Sequence, residues 1–292
     1  MSTPKVTVFT PCYNRAYILP KLYESLKAQE CHDFEWVIVD DGSIDNTESL
    51  VGEWQKSRNA FPIIYKKVKN GGKHRAINLG VKLANSPLFF TIDSDDQATK
   101  GAIAAIIKYA EELPANERFA GLSGTRIKPT GEIIGGNGGV APGSYIDASN
   151  LERTKMDLLG DKAEVYYTKI LKKYPFPEFK NENFLDESIV WNKIARDGYK
   201  LRWINTPFSI CDYKEDGLTK NLDKKNHENP KGFALYIREK TKQLKSPIKK
   251  LQCYYSYYVI MKNDQTETEI SNALKISKNT VSILKLLAKI KC

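Results

Sequence analysis

An α/β fold with a mostly parallel sheet is predicted by three features of the 292-residue chain: short β-branched runs, a polar turn closing each run, and a helically spaced apolar stretch after each turn. The first run, Lys5 to Thr10, ends in Pro11, Cys12, Tyr13, Asn14 and Arg15, and Ile18, Leu19, Leu22, Tyr23 and Leu26 then recur as one helix face. A second run, Glu35 to Val39, ends in Asp40, Asp41, Gly42 and Ser43 ahead of Leu50, Val51 and Trp54. Ile63 to Val68 reads as a third strand, and Lys73 to Ala84 as a helix that turns Ala76, Ile77, Leu79, Gly80 and Leu83 inward. Leu88 to Ile92 is a fourth strand. Strands alternating with helices imply parallel neighbours, and ligands of such sheets bind beyond the carboxyl ends of the strands, where these polar turns gather.

The fourth strand delivers Asp93, Asp95 and Asp96 to one place. Carboxylates this close repel one another unless a positive charge lies between them, and Mg²⁺ or Mn²⁺ carrying a diphosphate supplies one. Taken alone, Asp-Xaa-Asp is also ordinary Asx-turn chemistry, and Asp40 to Ser43 with Asp45 equally reads as helix capping.

Beyond residue 100 the signals are sparser. Gly121 to Gly143 reads as a β-hairpin about Pro129 to Gly131 followed by a loop, a candidate wall of the ligand site. Asp161 is a candidate ligand contact or a helix cap. Asp186 and Glu187 open an amphipathic helix with Ile189, Val190 and Ile194 inward.

Four motifs in order, FTPCYNR (9–15), VIVDDGSIDNT (37–47), GGKHRAINLGVKLA (71–84) and DSDD (93–96), resemble the donor-binding half of family 2 glycosyltransferases of bacterial surface polysaccharides, which have the Rossmann-like GT-A fold. The resemblance continues through Phe176 to Phe179 and Asn183 to Ala195 to Tyr213–Thr219, and so covers roughly residues 1 to 220. It implies a GT-A catalytic domain over 1–220, with a nucleotide-binding half at 1–100 and an acceptor half at 101–220, and leaves 221–292 as a basic helical extension. It implies that Thr10, Pro11, Tyr13 and Arg15 cradle the base and diphosphate of a nucleotide-sugar, and that Asp41 accepts from a uracil ring nitrogen. Gly71, Gly72 and Lys73 would approach the nucleotide, where Asn-Gly-Gly is otherwise a turn signal. Asn78 would face the nucleotide, Asp93 with Ser94 would hold the ribose, and Asp95 would ligate Mn²⁺ or Mg²⁺. The family's base for the acceptor hydroxyl matches Glu187, with Asp186 as runner-up because the acidic pair is reversed here. The implied reaction is an inverting, metal-dependent transfer, with UDP-sugar as donor and a saccharide or lipid-linked saccharide as acceptor. A catalytically inactive nucleotide-sugar-binding relative is the alternative, although Asp95 and Glu187 are both retained. A nicotinamide enzyme is disfavoured because no Gly-Xaa-Gly-Xaa-Xaa-Gly follows the first strand.

Composition supports a globular enzyme, with 41% hydrophobic and 27% charged residues. No run of about 18 apolar residues is present. With no signal peptide before the first strand, and five cysteines in no metal or disulfide pattern, the expected location is cytoplasmic, reaching to the inner membrane face. Charge is uneven: residues 214–292 hold 17 Lys plus Arg against 8 Asp plus Glu, a net +9 of the chain's +10. The stretch from Phe233 to Met261 mixes cations, aliphatics and tyrosines, as helices lying on anionic membranes do, so peripheral membrane contact is expected from it unless it packs on the catalytic domain. Thr266 to Leu284 resembles a helix-turn-helix with Ser277 capping the second helix, but Lys278, Asn279 and Thr280 make a thin readout surface, and no nucleic-acid partner is expected.

Overall fold

The computed structural model describes residues 3–137, 139–212 and 221–290, so the Tyr213–Thr219 part of the resemblance lies outside the described residues. The amino-terminal half alternates as expected: β1 (Val6–Cys12), α1 (Leu19–Lys27), β2 (Phe34–Asp40), α2 (Thr47–Lys56), β3 (Ile63–Lys67), α3 (Lys73–Leu83) and β4 (Leu88–Thr91). After it come β5 (Gln97–Ala98), α4 (Ala102–Glu111), β6 (Phe119–Ile127), β7 (Tyr145–Ala148), β8 (Lys162–Tyr167), α5 (Thr168–Lys173), α6 (Ser188–Arg196) and β9 (Lys200–Ile210). The sheet runs β3-β2-β1-β4-β8-β6-β9-β5, with β7 on β9. Its β3-β2-β1-β4 part is parallel throughout, whereas the antiparallel β8 separates it from β6 and β9, which pair in parallel. Reversal of strand order beside β1 leaves the ends of β1, β2 and β4 open to a ligand.

Residues 6–10 of β1 and all of β2 are buried, because helices cover both faces of a parallel sheet. On one side Leu19, Leu22 and Leu26 of α1 pack with Val6, Val8, Trp36 and Ile38. Each fully buried side chain of this size contributes about 1.5–3 kcal/mol. The inward face of α3 is rotated from the expected one: His74, Ala76, Ile77, Gly80 and Val81 are buried, while Leu79 and Leu83 are only half-buried. The cause is Gly80, where an added Cβ would lie 2.2 Å from the Phe9 ring, so the glycine sits directly on β1. The expected hairpin at Pro129 to Gly131 is a tight turn closed by a single bridge, Ile127 to Ile133. Asp161 precedes β8, so it caps no helix.

The chain divides into two compact units. The first runs to Phe176 and resumes from Lys193 to the end of β9; the second joins Pro177–Asn192 to the carboxyl-terminal helices. Residues 177–192, which the sequence places in the catalytic domain, are tied to the carboxyl-terminal helices by hydrogen bonds. Asn229 accepts the backbone N–H groups of Asn183 and Phe184 on its side-chain oxygen, and the Glu182 carboxylate accepts those of Lys231 and Gly232. The second unit holds α7 (Leu222–Glu228), α8 (Pro230–Gln243), α9 (Pro247–Met261), α10 (Glu267–Leu274) and α11 (Lys278–Ile290). Phe233, Ile237, Tyr257, Met261, Ile270, Leu274, Val281 and Leu284 form its core. Thr266 and Glu269 close a capping box on α10, and the Ser277 hydroxyl accepts the Thr280 N–H to open α11, so the expected helix pair is present.

Candidate active site

Two turns interlock at the ends of β1 and β2. Asn14, held at φ 54°, donates its backbone N–H to the Ser43 hydroxyl and accepts the Ile44 N–H on its side chain. Asp45 accepts the Ala16 N–H together with the Thr47 N–H and hydroxyl, which holds its carboxyl below the usual range despite some desolvation. Both turns are thereby fixed without a ligand, and Tyr13 and Tyr17 are left 47% and 65% exposed above them. Thr10 is fully buried and its hydroxyl accepts the Trp36 indole N–H, so its side chain is engaged in the core. Pro11 and Arg15 are half-buried at the turn.

Asp40 and Asp41 divide the work that their sequence leaves ambiguous. Asp40 is wholly buried, accepting the Ser43 N–H and the Tyr65 hydroxyl, which pushes the Tyr65 phenol far up along with its burial. Asp41 accepts the N–H groups of Gly71 and Gly72 at 2.7 and 2.8 Å, one on each carboxylate oxygen. Desolvation pushes its carboxyl up, against those two donors. The Asn-Gly-Gly turn is therefore held by Asp41, and Gly72 at φ 96° then starts α3. Carboxylate oxygens carry further lone pairs, so Asp41 keeps acceptor capacity for a ring N–H.

At the end of β4 the three carboxylates have different environments. Asp93 pairs with Lys73 at 2.7 Å and, more loosely, with Arg126 at 3.9 Å. Burial pushes the Asp93 carboxyl up, but the charges of Lys73, Arg126 and Arg15 outweigh it and hold the group low. Asp96, only 8% exposed in its side chain, accepts from Arg126 at 2.8 Å. Its burial, with Asp93 and Asp95 nearby, pushes it up to about 7 against the pull of Arg126. Asp95 is half-buried and, among the described residues, meets no hydrogen-bonding or ion-pairing partner. Ser94 between them is buried.

Arg126, on β6, carries no signal in the sequence beyond being the one charged residue of its strand. Burial alone would push its guanidinium down, and Asp93 and Asp96 more than reverse this. The Asn78 carboxamide donates to the Phe176 carbonyl at 2.9 Å and accepts the Phe176 N–H at 2.8 Å, clamping α3 to the end of the α5 segment.

The donor set at β4 suits a hard cation in one way only. No group of three His, Cys, Asp or Glu side chains among the described residues is arranged to hold a metal ion. An ion on the Asp95 carboxylate would take its other oxygens from a diphosphate and water, as Mg²⁺ bound with substrate phosphates does.

In the second unit Asp186 accepts the Ser188 N–H at 2.9 Å and the Ser188 hydroxyl, capping α6. Glu187 is half-buried, and its carbonyl accepts the N–H groups of Val190 and Trp191. Asp186 thus serves as the cap of the helix that Glu187 opens.

The sequence model of the family described as "Glycosyl transferase family 2" matches residues 7–121. A relative from Campylobacter jejuni, described as a GalNAc(5)-diNAcBac-PP-undecaprenol beta-1,3-glucosyltransferase, is 25% identical over 296 residues, covering 98% of this chain and 88% of that protein. TarS of S. aureus in complex with UDP superposes with a TM-score of 0.60 at 17% identity, covering 94% of this chain and 75% of that one. The mannosyltransferase PcManGT of Pyrobaculum calidifontis, in complex with GDP-Man and Mn²⁺, gives a TM-score of 0.56 at 17% identity, over 99% of this chain and 76% of that one. Residues 7–121 therefore carry the similarity to glycosyltransferase family 2, and the strand order gives the described residues the α/β fold of these solved structures.

Proposed function

We propose that this transferase moves a sugar from a nucleotide-sugar, UDP-sugar in the first instance, to a hydroxyl of a saccharide or lipid-linked saccharide, with inversion at the anomeric carbon. The observation that carries the reading is the division of labour at the end of β4: Asp93 and Asp96 are neutralised by Lys73 and Arg126, while Asp95 faces no protein cation among the described residues. Mn²⁺ or Mg²⁺ bound there would act as a Lewis acid on the diphosphate leaving group. Lys73 and Arg15 supply positive charge to the same diphosphate, Tyr13 offers an exposed ring to the base, and Asp41 accepts from the base edge. Glu187 takes the acceptor proton as the acceptor oxygen bonds to the anomeric carbon and the bond to the diphosphate breaks.

The PP-undecaprenol in the description of the C. jejuni relative supports a lipid-linked acceptor. Membrane contact would then fall to α11. The aromatic and aliphatic residues expected to touch lipid from Phe233 to Met261 are largely spent on the bundle core, whereas Ile283, Leu286 and Ile290 are 49%, 60% and 73% exposed beside Lys285 and Lys289. That apolar face also argues against DNA readout by the second helix of the pair. No helix among the described residues is long and apolar enough to cross a membrane.

Release of UDP from a panel of UDP-sugars, in the presence of Mn²⁺ and a saccharide acceptor, tests this reading. Glu187→Gln is expected to lower kcat by about 10²- to 10⁴-fold with donor binding retained. Unchanged turnover in that variant would remove Glu187 from the mechanism.

A further inference from the structure

Side chains from the first turns of α6, up to Asn192, and from α8, all in the second unit, line an open cavity of about 150 Å³. Ser188 and Asn192 line it from α6, and Tyr236, Glu239, Lys240 and Gln243 from α8. Its size sits below the roughly 300–1,000 Å³ of a site for a whole nucleotide or cofactor, and matches one sugar ring. Beside Ile189, the lining supplies what a polyhydroxyl ring needs: two hydroxyls, two carboxamides that each donate and accept, and one charge of each sign. Lys240 donates to the Tyr236 hydroxyl at 3.2 Å and lies 5.3 Å from its ring centre, so that pair is fixed before a ligand arrives. Glu239 is held by Lys242 at 2.7 Å. The lining itself carries one carboxylate and one ammonium, a balance that suits a neutral, hydroxyl-rich ligand. The Lys240 ammonium remains charged: burial pushes it down, but the Tyr236 hydroxyl and the charge of Asp186 reverse the shift.

We propose that this cavity is a subsite for one pyranose ring of the saccharide acceptor, built jointly by the helix that follows Glu187 and by the carboxyl-terminal extension. The proposal rests on the transferase reading, in which Glu187 serves the acceptor hydroxyl. It gives α8 a function in acceptor choice, where composition suggests only a basic appendage.

The test is saturation-transfer NMR on the full chain with glucose, galactose, N-acetylglucosamine and N-acetylgalactosamine as free monosaccharides, in wild type, Asn192→Ala and Gln243→Ala. UDP binding with Mn²⁺ and the thermal unfolding midpoint are measured on the same samples. At least one sugar is expected to bind the wild type, with affinity lowered about tenfold in each variant by the loss of a hydrogen bond, and with UDP affinity and unfolding midpoint unchanged. The proposal is overturned if no sugar binds the wild type, or if both variants bind it as the wild type does. Loss of UDP binding alone, in wild type, would sink the donor reading while the sugar titration still decides the subsite.

Discussion

Asp41 and Asp95 carry the same charge in neighbouring turns and face opposite surroundings: one is enclosed by two backbone N–H groups, the other meets no protein donor among the described residues. That contrast is invisible in the sequence, where both stand in acidic turns after apolar strands. The turns themselves were legible, because strand-turn-helix periodicity survives in a single sequence. The contacts of Thr10, Asn78 and Arg126 were not, because each depends on a partner 26, 98 or 30 residues away. Lys162 was also missed, and it carries a pH prediction. It is only 4% exposed, and its ammonium donates to the carbonyls of Gly136 and Leu159. Burial and the charge of Arg153 push it down to about 8, from an ordinary 10.5. The unfolded chain then binds more protons between those two values, so this group adds stability as pH rises from about 8 to 10.5 and withdraws it as pH falls back. Urea midpoints at pH 7.5 and 10 should show this rise in wild type and a smaller one in Lys162→Met. Equal rises would remove Lys162 as the source.

At the scale of elements, α3 links the Asn-Gly-Gly turn, a candidate nucleotide contact, to the core. Gly72 starts it under the control of Asp41, Gly80 lays it on Phe9, and Asn78 fastens it to Phe176. Helical spacing disclosed the existence of α3, but not its rotation, because the deciding contact is an aromatic ring beneath a glycine rather than a stripe of large residues. Gly80→Ala should therefore destabilise the first unit by about 1–3 kcal/mol through overpacking, although alanine is the better helix former. Chemical denaturation measures it, and a stabilised variant would show that α3 can lift from β1 at little cost. The segment from Pro177 to Asn192 was read as part of the catalytic domain because its motif follows in sequence. Side-chain caps from Asn229 and Glu182 tie it to the carboxyl-terminal helices, and no local pattern announces such long-range bonds.

For the whole molecule, an α/β unit carries the candidate nucleotide turns, and a helical unit carries the candidate base, the proposed sugar subsite and most of the net positive charge. The basic extension was evident from composition, whereas its aromatic residues turned out to build a core rather than a lipid-facing surface. Cosedimentation with phosphatidylglycerol vesicles should fall at least about tenfold in an Ile283→Glu, Leu286→Glu double variant, since each apolar side chain contributes about 1.5–3 kcal/mol when buried. Equal binding by the variant would remove α11 as the contact. The central claim is that the turns after β1, β2 and β4 bind a nucleoside diphosphate together with a divalent cation on Asp95. Calorimetric titration of UDP with and without Mn²⁺, in wild type and Asp95→Ala, tests it most directly. Binding strengthened by Mn²⁺ in wild type, with that gain lost in the variant, is the predicted result; absence of UDP binding, or an Mn²⁺ effect that survives in Asp95→Ala, would contradict it.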